Sequence, residues 1–377
     1  MRILHWTDGF WPRIGGIETL VYRLALAQRA EGHEVRVMTQ RDGAALPAED
    51  SYDGIAIHRL SFTAALREGN VATIRAIARE AATRLQQFEP DVVHVHVSGH
   101  LPWLYLLAGK SGRATVATLH VPWANLGEAL PPSISARLVQ SADAVMAVSE
   151  ATRLDWCGHV AGLRERVRVV TNGVPPPAIA PTPLADARGT ILCLGRLDRM
   201  KGFDVALQAF TRVVQRDSTA QLAIVGDGPE RGALERLAAE MGLRDHVAFR
   251  GWVAPEAVAA VINEAAMVLV PSRWEEPFGL VAVEAAWMGR PVIASRVGGL
   301  AEVVVDDETG LLVPSGDVIA LAHAIESLRH DPVRAARLGV RARQRAAASY
   351  GMERCAGEYR EIYGGVLASA AVEFVPG

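Results

Sequence analysis

Short runs of β-branched residues alternate with longer helical patterns along the chain, and this alternation limits the possible folds more than any other feature. The first half contains such runs at Val35–Thr39, Val92–His96, Thr115–Leu119 and Val145–Val148, with a helical pattern at Ile74–Phe88. The second half contains them at Thr190–Leu194, Gln221–Val225, Val247–Arg250, Met267–Val270 and Pro291–Ala294. Strands that alternate with helices are typical of βαβ units on a parallel sheet. The sequence therefore predicts an α/β protein with two such sheets.

A proline-rich stretch divides the two halves. It starts at Asn172-Gly173-Val174-Pro175-Pro176-Pro177 and continues to Pro183, and proline cannot extend a helix or a central strand. A chain of 377 residues is also longer than a single hydrophobic core usually supports. We therefore expect two doubly wound, Rossmann-like domains, at residues 1–175 and 185–349, that face each other across an interdomain cleft. Ligands of open α/β sheets bind at the carboxyl ends of the strands, so functional residues should lie in strand-to-helix loops.

The composition favours a cytoplasmic protein that acts on small molecules. The formal net charge is only −3, which argues against nucleic acid as a partner. The three cysteines have no CxxC spacing, so neither a disulfide framework nor a zinc site is predicted. The N-terminus reaches polar residues too soon for a signal peptide. The apolar run from Leu101 to Gly109 is far shorter than the roughly 20 residues of a spanning helix, so any membrane contact should be peripheral.

Two glycine-containing motifs suggest nucleotide cofactors but do not fit. Gly109-Lys110-Ser111 lacks the earlier glycine of a P-loop, because Leu104 stands at that position. Gly226-Asp227-Gly228-Pro229-Glu230 follows a predicted strand, but Arg231 stands at the sixth position. The dinucleotide fingerprint therefore fails, and a dehydrogenase that uses NAD is disfavoured.

A histidine pattern could indicate a metal. His94 and His96 alternate on a predicted strand and so share one face, where they could bind a metal together with His120. No carboxylate or thiolate has a matching spacing. We therefore predict no metal site and interpret these histidines as a strand end near the cleft.

The loop Gly195-Arg196-Leu197-Asp198-Arg199-Met200-Lys201-Gly202 follows a predicted strand and precedes a helix that starts near Phe203. Arginine can bind phosphate through its forked guanidinium group and lysine as a point charge. Only Lys110 and Lys201 are lysines in this chain, and arginine stands at the other basic positions. The loop is a candidate phosphate site, and a solvated basic turn is the alternative.

The segment from Pro271 to Ala285 is a second strand-loop-helix candidate. Glu276 and Glu284 are separated by seven residues, so a helix that starts at about Phe278 would place Glu276 just before it and Glu284 near its second turn. The N–H groups of Phe278, Gly279 and Leu280 would then form an end that binds anions and hydroxyls. Carboxylate acceptors and backbone donors together complement the hydroxyl groups of a sugar.

Nine short motifs occur in order along nearly the whole chain: Gly15-Gly16-Ile17-Glu18, Thr118-Leu119-His120, Ser149-Glu150, Asn172-Gly173-Val174, Gly195-Arg196-Leu197, Lys201-Gly202, Gly226-Asp227-Gly228-Pro229, the pair Glu276 and Glu284, and Gly298-Gly299 with Glu302. Together they resemble the family 4 retaining glycosyltransferases of GT-B fold, also called glycosyl transferases group 1. The resemblance implies a GT-B fold with an acceptor-binding N-terminal domain and a donor-binding C-terminal domain. It also implies a final helix, at about 350–377, that packs back on the first domain.

The resemblance implies a role for each matching residue. Arg196 and Lys201 would bind the donor diphosphate and stabilise the leaving charge. Glu276, with the backbone of Phe278, Gly279 and Leu280, would hold the hydroxyls of the donor sugar. Glu284 would accept hydrogen bonds from the ribose, and His120 would lie beside the transferred sugar. The other donor contacts implied by the resemblance are Gly15, Gly16, Asn172, Gly228 and Val253.

The resemblance also implies the activity. A retaining glycosyltransferase would move a sugar from a UDP- or GDP-sugar, with an ADP-sugar as the alternative donor, to a hydroxyl of a small-molecule, glycan or lipid-linked acceptor. The chain has no Asp-x-Asp, the carboxylate pair with which metal-dependent sugar transferases hold the diphosphate, so no metal and no other cofactor are expected. The alternatives are a catalytically silent partner subunit that binds a nucleotide sugar and a GT-B epimerase or phosphorylase.

The acceptor is expected to bind mainly to the first domain. Aromatic rings stack on a sugar or cyclitol ring or support an apolar lipid carrier. The candidates are Phe10, Trp11, Arg13 and Trp123, and the alternative is that the aromatic residues belong to the core. We favour a soluble acceptor, because the chain shows no strongly basic amphipathic helix of the kind that binds anionic lipid.

Overall fold

The computed structural model of this protein describes residues 1–41, 45–110, 112–126, 132–184 and 188–372. Residues 185–187, at the expected start of the second domain, and 373–377, at the end of the expected final helix, lie outside the described residues. The chain divides into two units, Met1–Gly173 with Met352–Gly377, and Val174–Gly351. Each unit has its own sheet and its own buried core.

The strands of the first unit are β1 (Arg2–Trp6), β2 (Glu34–Gln40), β3 (Glu49–Tyr52), β4 (Ile55–Leu60), β5 (Val92–Val97), β6 (Ala114–Leu119), β7 (Ala144–Ala147) and β8 (Val167–Val169). They form one sheet in the order β3-β4-β2-β1-β5-β6-β7-β8, in which only the β3–β4 pair is antiparallel among the described strands. Every residue of β5 and β6 is buried, as expected for central parallel strands that are covered on both faces. The strand order reverses between β1 and β5, so the loops at their carboxyl ends form the topological switch point of this sheet.

The helices before residue 174 are α1 (Gly16–Ala30), α2 (Phe62–Arg67), α3 (Val71–Phe88), α4 (Leu101–Ala108), α5 (Pro132–Ser141) and α6 (Glu150–His159), with a 3-10 turn at Trp123–Asn125. Polar side chains satisfy the first N–H groups of two of them. Asn70 accepts from the N–H of Thr73 at 3.0 Å and so caps α3. Ser149 accepts from the N–H of Thr152 at 3.1 Å and caps α6, which gives the Ser149-Glu150 motif a structural role.

The strands of the second unit are β9 (Ile191–Leu194), β10 (Leu222–Val225), β11 (Val247–Gly251), β12 (Met267–Val270), β13 (Val292–Ser295) and β14 (Gly310–Val313). They form a sheet in the order β11-β10-β9-β12-β13-β14, and every neighbouring pair is parallel. After β9, the strands β10 and β11 are added on one side of it, and the strands β12, β13 and β14 are added on the other side. The switch point of this sheet therefore lies at the carboxyl ends of β9 and β12.

The helices of the second unit are α7 (Phe203–Arg216), α8 (Arg231–Glu240), α9 (Val258–Asn263), α10 (Leu280–Trp287), α11 (Leu300–Val303), α12 (Val318–His330) and α13 (Pro332–Ser349), with 3-10 turns at Arg199–Lys201 and Pro255–Ala257. Asp317 caps α12 through the N–H groups of Ile319 and Ala320. Asp331 caps α13 through the N–H of Arg334 at 2.8 Å.

The last helix, α14 (Met352–Val372), belongs to the first unit although the chain reaches it from the second. It contacts α1 and β6. Met352, Cys355, Tyr359 and Tyr363 are buried in the same core cluster as Ile3 of β1. No described helix combines the length and the apolar character needed to cross a bilayer.

The structure confirms the strands predicted from the sequence to within one residue at each end, and it confirms the two-domain α/β fold class. The sequence patterns missed five further strands, β1, β3, β4, β8 and β14. They also placed the start of α10 two residues too early, at about Phe278 instead of Leu280.

Candidate functional site

The loop after β9 is held by the carboxylate of Asp198. Its Oδ1 accepts from the N–H groups of Met200 at 3.1 Å and Lys201 at 3.2 Å, and its Oδ2 accepts from Nε of Arg196 at 3.2 Å. The Arg196 side chain is 62% exposed. Gly202 follows with a φ of +68°, where an added Cβ would lie 2.0 Å from the carbonyl oxygen of Pro271. Glycine is therefore required at position 202 for the loops after β9 and β12 to touch.

Lys201 and Glu276 meet across these two loops. Nζ of Lys201 lies 2.5 Å from Oε1 of Glu276, and the Ser272 hydroxyl donates to the other carboxylate oxygen. The Glu276 side chain is only 9% exposed and that of Lys201 28%. The two residues predicted to bind the diphosphate and the sugar hydroxyls thus form an ion pair with each other at the switch point of the second sheet.

The start of α10 differs from the prediction in one useful way. Gly279 is the N-cap residue, with a φ of +100°, so the first N–H groups of the helix belong to Leu280 and Val281. Phe278 is buried, and its ring packs edge-on against Tyr350. The predicted donor end of 278–280 therefore starts two residues later, at Leu280. Glu284 stays in the second turn of α10, half-buried.

The loop after β13 fixes the backbone around Glu276. The N–H of Gly298 donates to Oε2 of Glu275 at 2.7 Å, and the N–H of Gly299 donates to the carbonyl oxygen of Glu276 at 2.8 Å. An added Cβ at Gly298, whose φ is +44°, would lie 2.4 Å from the same carbonyl oxygen. The motif Gly298-Gly299 therefore allows a close backbone contact that aims the Glu276 side chain.

The loop after β10 packs directly on the loop after β9. An added Cβ at Gly226 would lie 1.9 Å from the carbonyl oxygen of Gly195, and one at Gly228 would lie 2.4 Å from that of Leu197. The N–H of Leu197 also donates to the carbonyl oxygen of Asp227. Gly228 thus lies beside the basic loop, while Val253 lies in the segment that follows β11.

In the first unit, the glycines at the start of α1 surround a carboxylate. Gly15 is the N-cap of the helix and Gly16 its first residue. Added Cβ atoms at Gly9 and Gly15 would lie 2.3 and 2.4 Å from the carboxylate oxygens of Glu18. Arg13 donates from Nε to Glu18 at 3.0 Å. The loop after β1 is therefore folded around Glu18. Farther along, Asn172 is buried just after β8.

The predicted acceptor residues make mostly internal contacts. Phe10 is 3% exposed and lies in the core, which corrects its assignment as an acceptor contact, because its ring is not accessible to a ligand. Trp11 stacks on Tyr52 with ring centres 4.2 Å apart. Trp123 packs edge-on against Trp156 and stacks on His159. Trp11 and Trp123 are each only half-buried, so each retains some accessible surface.

Asp8 is a candidate that the sequence patterns missed. It follows β1, and its Oδ1 accepts from the N–H groups of His100 at 2.8 Å and Leu101 at 3.0 Å at the start of α4. Burial raises the pKa of Asp8 to about 6, although these hydrogen bonds oppose the shift. The sequence could have indicated Asp8 as a polar residue at the carboxyl end of a strand. In the structure, Asp8 lies at the switch point of the first sheet.

We predict that Asp8→Asn removes a pH-dependent loss of stability. The folded protein binds the Asp8 proton more tightly than the unfolded chain, so the wild type loses stability as the pH rises from about 4 to about 6. Asparagine keeps an acceptor oxygen and never ionises. At pH 7.5 the variant should melt about 2 °C or more above the wild type. At pH 4 the two proteins should melt at the same temperature. Both comparisons are made by calorimetry. A difference that does not change with pH would contradict the prediction.

Four buried histidines lie together on one face of the first sheet: His5, His94, His96 and His120. Burial lowers the pKa of His5 to about 4 and that of His120 to about 3, and it lowers the pKa values of the other two well below the ordinary value. One ring nitrogen from each of His5, His94 and His96 lies within 4.8 Å of the others. This trio differs from the His94, His96 and His120 set considered from the sequence.

The sequence matches two family models in succession. Residues 14–176 match the family described as Glycosyltransferase Family 4, and residues 178–345 match Glycosyl transferases group 1. A D-inositol 3-phosphate glycosyltransferase of Streptomyces avermitilis is 30% identical, in an alignment that covers 93% of this chain and 82% of that protein. A GDP-mannose-dependent alpha-(1-6)-phosphatidylinositol monomannoside mannosyltransferase of Mycolicibacterium smegmatis is also 30% identical, over 89% of this chain and 91% of that protein.

A solved structure with a similar fold is that of sucrose-phosphate synthase from Thermosynechococcus elongatus. It superposes with a TM-score of 0.83 at 26% identity, over 98% of this chain and 100% of that chain.

Proposed function

This chain belongs to the glycosyltransferases of family 4 and group 1, and from that premise we propose that it is a retaining, metal-independent enzyme that moves a sugar from a nucleotide-diphosphate donor to an acceptor hydroxyl. The observation that carries the proposal is the contact between Lys201 and Glu276 at the switch point of the second sheet. It brings together a cation suited to phosphate and a carboxylate suited to sugar hydroxyls.

The ion pair suggests how the donor is received. The diphosphate competes with Glu276 for Nζ of Lys201, and it also binds the exposed guanidinium of Arg196. Glu276, released from Lys201 but still bound by the Ser272 hydroxyl, then accepts hydrogen bonds from the donor sugar. Catalysis in this proposal comes from positioning and from stabilising the leaving diphosphate. The acceptor hydroxyl attacks from the face that the diphosphate leaves, and no protein nucleophile takes part.

The residues around the proposed diphosphate site support a mechanism without a metal. Arg196 and Lys201 supply two positive charges that can neutralise the diphosphate. The acidic side chains beside them keep hydrogen-bond partners when the donor binds, since Asp198 accepts from the N–H groups of Met200 and Lys201 and Glu276 accepts from the Ser272 hydroxyl. The group of potential metal ligands found among the described residues lies elsewhere, at His5, His94 and His96 of the first unit.

For the acceptor, we propose a polyhydroxylated ring, free or lipid-linked, that binds to the first unit. The names of the two relatives contain D-inositol 3-phosphate and phosphatidylinositol monomannoside, and both compounds contain an inositol phosphate. Among the predicted contacts, Trp11 and Trp123 keep partly accessible rings and Arg13 is exposed. D-inositol 3-phosphate is therefore the first acceptor to test.

We predict that a nucleotide sugar raises the melting temperature without added metal. Purified protein would be heated with UDP-glucose, GDP-mannose or ADP-glucose, each with and without EDTA. At 100 times the dissociation constant, a ligand that binds only the folded state stabilises it by about 2.7 kcal/mol. We expect a shift with one base class, retained in EDTA and lost in Lys201→Ala. A shift that requires a divalent metal would contradict the metal-independent part of the proposal.

Product analysis separates transfer from the alternatives. A glycosyltransferase releases the nucleotide diphosphate and forms a glycoside only when an acceptor is present. An epimerase converts the donor without acceptor, a phosphorylase requires inorganic phosphate, and a silent subunit binds the donor and forms nothing. Formation of an α-glycoside from an α-linked donor, read from the anomeric proton coupling, is the outcome that establishes retention.

A further inference from the structure

Gln28 of α1 lies at one end of a chain of buried imidazole rings in the first unit. Its Oε1 lies 2.7 Å from Nε2 of His5, and Nδ1 of His5 lies 2.9 Å from Nε2 of His96. Nδ1 of His96 lies in turn 2.8 Å from Nε2 of His120. These four side chains are at most 4% exposed, so bulk water does not compete for their hydrogen bonds.

The chemistry of these groups determines which atom donates and which accepts in each of these hydrogen bonds. The imidazoles are neutral at physiological pH because burial disfavours the charged form, and a neutral ring has one N–H and one bare nitrogen. The amide oxygen of Gln28 can only accept, so His5 donates from Nε2 and accepts at Nδ1. His96 must then donate from Nε2 and accept at Nδ1, and His120 must donate from Nε2.

We propose that Gln28, His5 and His96 are positioning residues that fix the tautomer of His120, so that its bare Nδ1 accepts a hydrogen bond from a sugar hydroxyl. Only the contact with the sugar rests on the proposed function, since the tautomer follows from the hydrogen bonds and from the orientation of the Gln28 amide, whose oxygen faces His5 and whose nitrogen faces Tyr363. Nδ1 of His120 has no hydrogen-bond partner within the described part of the chain. A neutral acceptor at this position selects a ligand group that donates, as a hydroxyl does and an ether oxygen does not.

A second branch of hydrogen bonds starts at the amide nitrogen of Gln28. Its Nε2 lies 3.2 Å from the hydroxyl of Tyr363 on α14, which lies 2.7 Å from Nδ1 of His94. Nε2 of His94 lies 2.7 Å from Oγ1 of Thr118. The amide N–H therefore donates to Tyr363, Tyr363 donates to His94, and His94 donates to Thr118.

The orientation of the Gln28 amide sets the direction of the hydrogen bonds in both branches. If the Gln28 amide turned over, every hydrogen bond in both branches would reverse. If a single ring changed tautomer, two N–H groups or two lone pairs would face each other in a buried site, at a cost of about 1–3 kcal/mol. The four histidines are therefore expected to have the same tautomer, with the hydrogen on Nε2.

The same contacts argue against a metal in this cluster. His5, His94 and His96 bring ring nitrogens within 4.8 Å of one another, but both ring nitrogens of each residue already have a hydrogen-bond partner. A bound ion would have to replace these bonds. It would also separate the rings from Gln28 or Tyr363.

The test is a long-range proton–nitrogen NMR correlation of the full-length protein labelled with ¹⁵N-histidine at neutral pH. The cross-peak pattern shows which ring nitrogen carries the hydrogen, and single histidine substitutions assign the signals. We expect Nε2–H at His5, His94, His96 and His120, unchanged by added Zn²⁺. A mixed set of tautomers, a uniform Nδ1–H set, or displacement of these signals by Zn²⁺ would each overturn the proposal.

Two variants test the positioning role. Gln28→Met has a similar size but cannot donate and only weakly accepts, and it should allow a second tautomer at His5, His96 and His120 together. Gln86→Met makes the same substitution at an exposed position of α3 and should leave these three tautomers unchanged. With the donor found in the melting experiment, Gln28→Met should lower kcat by about tenfold, as expected for one misaligned hydrogen bond.

The readouts separate the two hypotheses. If no donor is turned over, the proposed function fails, whereas the NMR spectrum still shows whether the tautomers are uniform. If the tautomers shift in Gln28→Met and kcat does not change, the positioning role is overturned. The wild-type spectrum requires no variant, so the tautomer assignment remains testable even if Gln28→Met does not fold.

Discussion

Lys201→Ala is expected to lower kcat by at least about 100-fold while the protein stays folded. Removal of one charged contact to a leaving group typically costs roughly 3–4 kcal/mol, or about 10²–10³ in rate. The truncation also removes the partner of Glu276. Because the Glu276 side chain is only 9% exposed, its unpaired charge should also lower the melting temperature. The measurement is the initial rate of nucleotide diphosphate release at saturating donor and acceptor, with a melting curve of the same sample.

Arg199→Ala is the matched control for Lys201→Ala. Both residues lie in the 3-10 turn Arg199–Lys201, but Arg199 is exposed and has no role in the proposed site. Its removal should leave kcat within about twofold of the wild type, because isolated surface charges contribute little. Lys201→Arg keeps the charge but not the shape, and it should recover only part of the rate. Near-normal turnover in Lys201→Ala would disprove the assignment of the diphosphate site.

The phosphate loop could be predicted from sequence because its chemistry is local. Arg196 and Lys201 stand within one strand-to-helix loop, and a parallel sheet brings such loops to one edge. The direct contact between Lys201 and Glu276 could not be predicted, since it depends on which strands are neighbours. The sheet order places β12 beside β9, although the two residues are 75 positions apart in the sequence.

Two of the strands that were missed had weak local patterns. β1 is Arg-Ile-Leu-His-Trp and β3 is Glu-Asp-Ser-Tyr, and neither has the β-branched enrichment that signals a strand. β3 forms by pairing with β4 in a hairpin around Asp53 and Gly54, both with positive φ. The start of α10 was misplaced because Gly279 adopts a left-handed conformation, which a helical periodicity does not reveal.

The imidazole chain was beyond sequence reasoning for a different reason. His94 and His96 stood out as a pair on one strand, but their partners come from distant segments: Gln28 on α1, Thr118 on β6 and Tyr363 on α14. Only the return of α14 to the first unit brings Tyr363 to His94. A buried polar cluster that looks like a metal site in sequence thus becomes a hydrogen-bond network in which both ring nitrogens of His94 and of His96 are paired.

Glu276→Ala should have the opposite effect on nucleotide binding from Lys201→Ala, although both variants should lose at least about 100-fold in kcat. In the free protein Glu276 occupies the Nζ of Lys201 that the diphosphate is proposed to bind. Removal of this competitor should tighten the binding of the free nucleotide diphosphate by about two- to fivefold, because a partly exposed ion pair contributes about 0.5–1 kcal/mol. The same substitution removes the acceptor for the sugar hydroxyls and so lowers kcat.

A glutamine pair supplies the control for this last prediction. Glu276→Gln retains an oxygen for the Ser272 hydroxyl but removes the charge, and Glu275→Gln removes a charge one residue away while keeping an acceptor for the N–H of Gly298. Glu275→Gln should therefore behave like the wild type in both calorimetric binding and turnover. If Glu276→Ala instead weakens the binding of the nucleotide diphosphate, the carboxylate helps to hold the phosphate site together. The ion pair would then be part of that site and could not be a contact that the donor displaces.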